Sequence, residues 1–205
     1  METIETPLLE YGVAQFVLPG QIESGDRHLV RCNEKGVLIA AIDGLGHGEE
    51  AANAAKAAAS ILKASVDEPI ISLVESCHEK LRLTRGVVLS LAAVEASHGM
   101  MTWLGVGNVQ GVLLRAGDRK RPVHESLLLR GGVVGSQLPP LQAAVLPVVR
   151  GDTLIFVTDG IRGEFTESLS VLENPQRAAN RILESYRTGN DDALVLVVRL
   201  IGACP

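Results

Sequence analysis

Residues 48–84 interrupt an otherwise β-textured chain, and that break limits the folds available to it. On either side the sequence runs as short apolar stretches separated by turn residues: YGVAQFVL, RHLVRC and GVLIAAI before, GVVLSLAAVEA, GMMTWLGVG and VQGVLLRAG after. Inside the break, GEEAANAAKAAASILKASV has no internal proline or glycine and opens with acids that suit a helix N-terminus. EPIISLVESCHEKLRLT then repeats apolar residues at helical spacing, at Ile70, Leu73, Val74, Cys77 and Leu81. The two segments suit an antiparallel helix pair. Later, ESLLLRGG, AVLPVVRGD and TLIFVTDG continue the β-texture, with HG, GN and GDRK as turns in what reads as a meander. A helix is predicted from Pro175 to Tyr186, because proline is accommodated in a first helical turn. DDALVLVVRLI closes the chain as a strand. The order strands, helices, strands, helix, strand implies α+β, with stacked antiparallel sheets and helices outside them.

With 205 residues, 46% of them hydrophobic, a single domain spanning 1–205 is the expectation. A net charge of -5 and 3% aromatic residues argue against nucleic acid as a partner. No apolar run reaches the length of a membrane span, and METIETPLLEYG has no basic flank or apolar stretch of a signal peptide. A cytoplasmic protein is expected. Cys32, Cys77 and Cys204 are scattered and form no CxxC pair.

The acids at strand ends carry the chemistry. Asp26 ends SGD before one strand, and Asp43 opens DGLGHG after another. Asp159 lies in TDG, and Asp191 and Asp192 precede the last strand. If neighbouring strands lie together, these carboxylates meet, and carboxylates held close repel unless a cation neutralises them. Magnesium and manganese prefer such oxygen ligands. Asp-Gly is also the commonest hairpin-turn dipeptide, and for any one motif alone the turn is the simpler account. Four in one small chain favour the cation, although spacing alone does not make them converge.

The ordered series SGD, DGLGHG, TDGI and a final DD before an apolar strand resembles the metal-dependent type 2C protein phosphatases, and most closely their bacterial SpoIIE-like branch. The resemblance runs from Asp26 to Leu200. It implies a four-layer αββα sandwich of two antiparallel β-sheets flanked by helix pairs. It also implies two Mn2+ or Mg2+ ions. Asp43 matches the carboxylate that bridges them, and Gly44 the residue giving a backbone carbonyl to one. Asp26 matches the early acidic ligand, and Asp159 and Asp191 the two late ligands. The family usually has threonine three positions after its final leading aspartate, where this chain has Leu194. Asn108 matches a recurrent glycine-asparagine turn with a structural role.

The implied reaction is hydrolysis of phosphoserine or phosphothreonine by a hydroxide formed between the metals. The implied partners are phosphorylated STAS-domain scaffold proteins of a bacterial stressosome. His47 is a candidate proton donor, but it stands in a different register from the family's histidine, which immediately follows Asp-Gly, where this chain has Leu45. Shaping the loop is its alternative role. Arg27 and Arg31, near Asp26, are candidates for gripping phosphate or for the surface. Two competing readings keep the same fold: a non-catalytic partner-binding module, and a hydrolase of small phosphoesters. The retained acidic set argues against the first.

Overall fold

The computed structural model describes residues 8–33, 35–95, 97–117, 124–169 and 173–202. The chain begins with β1 (Leu9–Phe16), β2 (Asp26–Cys32) and β3 (Gly36–Gly44), then enters α1 (Glu49–Ala64) and α2 (Ile70–Leu81). Strands β4 (Val87–Glu95), β5 (Met100–Val106), β6 (Gln110–Leu114), β7 (His124–Ser126), β8 (Leu129–Arg130), β9 (Ala144–Pro147) and β10 (Thr153–Val157) follow. A 3-10 turn (Gly163–Ser168), α3 (Pro175–Tyr186) and β11 (Ala193–Leu200) complete it. One sheet has the order β1-β11-β10-β6-β7, the other β2-β3-β4-β5-β8, with β9 also pairing β5.

The layering follows from which strands are apolar on both faces. In β3, Val37, Ile39 and Ala41 point into the core between the sheets, while Leu38, Ala40 and Ile42 point at α1 and α2. β11 divides likewise: Leu194, Leu196 and Val198 face the other sheet, and Val195 and Val197 face α3. A strand buried on both sides has to read as a continuous apolar run, which is how GVLIAAI and ALVLVV read. Each fully buried Leu, Ile or Val contributes about 1.5–3 kcal/mol, so these two strands anchor the sandwich.

The alanines of α1 are a packing device as well as a helix signal. Ala51, Ala52, Ala54, Ala55 and Ala58 are fully buried, and their small side chains bring the helix close to its sheet. At α3, the Asn174 side chain accepts from the Gln176 and Arg177 amides, and Pro175 takes the first turn.

The structure departs from the sequence expectations in three places. The meander stops after β5: β6 crosses to the other sheet and pairs with β10. ESLLLRGG is not one strand but two, β7 on β6 and β8 on β5, split where Leu127 turns into the core and its amide bonds the Gly111 carbonyl. β8 also runs parallel to β5, a two-residue exception to antiparallel pairing. Among the described residues, the layer outside the β1 sheet holds one α-helix and the 3-10 turn in place of a second helix pair. Most of the GDRK turn, and Cys204, lie outside the described residues. No helix among the described residues is long and apolar enough to cross a membrane.

Candidate metal centre

Antiparallel pairing sets the first two carboxylates side by side. Asp26 opens β2, Asp43 lies near the end of β3, and the two are direct register partners. Opposed residues in such a pair have Cβ atoms about 5 Å apart on one face of the sheet. Asp159 follows β10, and Asp191 and Asp192 precede β11, both in the facing sheet. All five acids therefore collect at one end of the sandwich. Asp26 and Asp192 are buried, Asp43 and Asp191 half-buried, and Asp159 exposed, so the cluster opens from the interior to solvent.

Thr158 joins the two sheets at this point. Its hydroxyl donates to Asp26 Oδ2 at 2.8 Å and accepts from the Leu194 amide at 2.8 Å, and the residue is fully buried. Asp192 turns away from the cluster's mouth: Oδ1 accepts from the Leu18 amide and Oδ2 from the Gly25 amide, both at 2.7 Å. It pins the loop that carries Asp26. Asp191 Oδ1 accepts from the Asp192 amide at 2.8 Å, and Asp159 Oδ2 accepts from Asn108 Nδ2 at 2.8 Å. The glycine-asparagine turn thus reaches the site through its side chain.

The electrostatics are those of crowded anions. Burial, then the charges of Asp26, Asp159, Asp191 and Asp192, push the Asp43 carboxyl up to about 9. Asp26 is pushed up to about 7 by burial, opposed by the Thr158 hydrogen bond and reinforced by the neighbouring aspartates. Burial and Asp191 also raise Asp159, against the Asn108 bond. The charges acting on Asp43 are all carboxylates, so the site favours a cation.

Among the described residues, no three His, Cys, Asp or Glu side chains close into a cage around one ion. A small hard cation does not need one: Mg2+ is typically held by one or two carboxylates and keeps several waters. The donors here are all oxygens, and the cluster's outer acids are open to water. The residues fit a hydrated divalent cation.

Backbone packing holds the geometry. A Cβ at Gly44 would stand 2.1 Å from the Ala51 carbonyl oxygen, so any side chain there collides with the first turns of α1. The obstacle to a side chain at Gly44 is the helix backbone. Gly160 plays the same part in TDG, where a Cβ would meet the Asp192 carbonyl oxygen at 2.0 Å.

His47 is exposed, and its Nδ1 lies 3.3 Å from Gln21 Nε2. The Arg27 guanidinium is committed locally, donating to the Ser24 and Asp26 carbonyls at 2.8 Å and to Glu23 at 3.0 Å, so it clamps its own loop. Arg31 is exposed in β2. Sequence reasoning missed Thr158 and the clamp role of Asp192. Their only signals are a hydroxyl before TDG's aspartate and a doubled acid before the last strand.

A family model described as Stage II sporulation protein E (SpoIIE) matches residues 33–201. The chain is 24% identical over 192 residues to the phosphoserine phosphatase RsbX of Bacillus subtilis (strain 168), covering 91% of this chain and 92% of that one. Among solved structures, RsbX in complex with magnesium superposes with a TM-score of 0.83 at 22% identity, over 96% of this chain and 97% of that one. A chain described under "The bacterial stressosome: a modular system that has been adapted to control secondary messenger signaling" superposes with a TM-score of 0.82. It is 30% identical, over 93% of this chain and 99% of that one. The Mycobacterium tuberculosis serine/threonine phosphatase PstP/Ppp gives 0.73 at 16% identity, over 95% and 99%. With the family model covering residues 33–201, most of its length, the chain belongs to the SpoIIE family.

Proposed function

We propose that the protein is a divalent-metal-dependent phosphatase that removes phosphate from serine or threonine of STAS-domain scaffold proteins in a bacterial stressosome. The observation that carries the metal dependence is the convergence of Asp26, Asp43, Asp159, Asp191 and Asp192 at one end of the sandwich, where the charges raising Asp43 are all anionic. The substrate class is supported by the likeness to RsbX and to the stressosome-related chain. Divalent-metal dependence is supported further by structures of RsbX with magnesium and of PstP with two manganese ions.

In this reading Asp43, on the β3 end, and Asp26, opposite it, hold two Mn2+ or Mg2+ ions together with the Gly44 carbonyl, Asp159 and Asp191. When bound, such ions neutralise phosphoryl charge and lower the pKa of water. The protein residues do the placing. Thr158 fixes the Asp26 carboxylate by holding one oxygen, Asp192 pins the Asp26 loop, and Asn108 orients Asp159. The exposed position of Asp159 leaves the cluster open on the side from which a phosphorylated side chain must enter.

The test is phosphate release from a phosphoserine STAS-domain protein and from an aryl phosphate, each with Mn2+ and with chelator. Mn2+-dependent release from the phosphoprotein is expected. Release from neither would refute the enzyme reading and favour a binding module, and release from the aryl ester alone would favour a small-molecule hydrolase.

A further inference from the structure

We infer that Arg85 is the residue that grips the substrate's phosphoryl oxygens, a role that rests on the phosphatase reading above. Arg85 lies in the α2–β4 connection, two residues before Val87, which is the register partner of Gly44; the next residue, Val88, pairs Asp43. The Leu45 amide bonds the Gly86 carbonyl at 3.2 Å, fastening this connection to the loop that leaves Asp43. Arg85 therefore stands on the same sheet end as the acidic cluster, one strand across from Asp43.

The side chain is held in place. Its Nε donates to Glu50 in the first turn of α1, which holds one edge of the guanidinium. The Nη1 edge lies over Gly46, where a Cβ would stand 2.8 Å away. Leu45, Gly46 and Arg85 line a hollow of about 340 Å³ open to solvent. The Arg85 side chain is about half exposed (51%), as a group meeting an incoming substrate must be. Arg27 instead commits three of its donors to Glu23 and two carbonyls of its own loop.

The chemistry matches. A planar guanidinium binds phosphoryl oxygens through paired N–H donors, and a carboxylate on its opposite edge fixes its orientation. A site built of five carboxylates needs cationic groups beyond its metals to accept a dianion. Gly46 then has a function beyond the turn: it leaves the space over which the Nη1 edge lies.

The experiment uses the full chain with Mn2+ and compares wild type, Arg85→Ala, Arg85→Lys and Glu50→Gln. Inorganic phosphate binding is measured by calorimetry. KM and kcat are measured on aryl phosphate and on the phosphoserine STAS protein, and Mn2+-induced thermal stabilisation reports the metal site. For Arg85→Ala, phosphate affinity should fall, and KM rise, roughly tenfold or more on both substrates. The Mn2+ stabilisation should be unchanged. Arg85→Lys should recover only part, and Glu50→Gln should lie between. Phosphate affinity within twofold of wild type in Arg85→Ala would overturn the inference. Phosphate binding needs no turnover, so an inactive wild type whose phosphate affinity depends on Arg85 would overturn the phosphatase reading alone.

Discussion

Replacing Thr158 with valine isolates one hydroxyl at the seam of the two sheets. Valine has nearly the same shape, so the change opens no cavity. The lost contacts are the bond donated to Asp26 Oδ2 and the bond accepted from the Leu194 amide, each 2.8 Å long and fully buried. Stranding a buried polar group costs about 1–3 kcal/mol, more where the partner is charged, so two stranded groups cost roughly 3–5 kcal/mol. At about 2–4 °C per kcal/mol for a chain of this size, the melting temperature should fall by on the order of 10 °C or more. Denaturant titration in chelator measures the loss, and Thr158→Ser should restore most of it by returning the hydroxyl. Mn2+ affinity, read by calorimetry, should also fall in the valine variant, because Asp26 loses the donor that holds one of its oxygens. A valine variant within about 0.5 kcal/mol of wild type, with unchanged Mn2+ affinity, would refute the reasoning.

Three further outcomes follow from the same geometry. In chelator, stability should fall as pH rises from about 4 to about 9, because Asp26 and Asp43 bind protons in the folded protein at pH values where the unfolded chain has released them; melting curves across that range with and without Mn2+ check the sign, and a rise with pH in chelator would contradict it. Asp43→Asn should abolish Mn2+-dependent turnover and reduce Mn2+-induced stabilisation, while raising stability near neutral pH in chelator by removing a carboxyl that must take up a proton on folding; near-native turnover would reject Asp43 as a metal ligand. Gly44→Ala should destabilise by at least about 2 kcal/mol because its methyl group meets the Ala51 carbonyl, a loss that denaturant titration would register even without metal.

Much of this architecture is legible in particular stretches of sequence. GVLIAAI and ALVLVV are continuous apolar runs because β3 and β11 are covered on both faces, and Pro175 marks the start of α3. Less legible are the places where the chain changes sheets. Nothing local distinguishes VQGVLLRAG from a third meander strand, since β6 would look the same paired with β5 or with β10. ESLLLRGG hides its break because Leu127, Leu128 and Leu129 differ only in burial, which depends on the opposite sheet.

The site divides along the same line. Local sequence already places aspartates at strand ends, in SGD, DGLGHG, TDG and DD, each next to an apolar run that reads as a strand. Their convergence needed the tertiary structure, because Asp26 and Asp43 meet through sheet register, and Asp159 and Asp191 join them only when the second sheet stacks on the first. The same stacking brings the Thr158 hydroxyl to Asp26 and lets Asp192 clamp the Asp26 loop, while the packing of α1 on β3 makes Gly44 irreplaceable and β3–β4 pairing carries Arg85 to the loop beyond Asp43. Apart from Gly44 against Ala51, these are contacts between segments distant in sequence, and local pattern encodes strand ends but not which ends are pressed together.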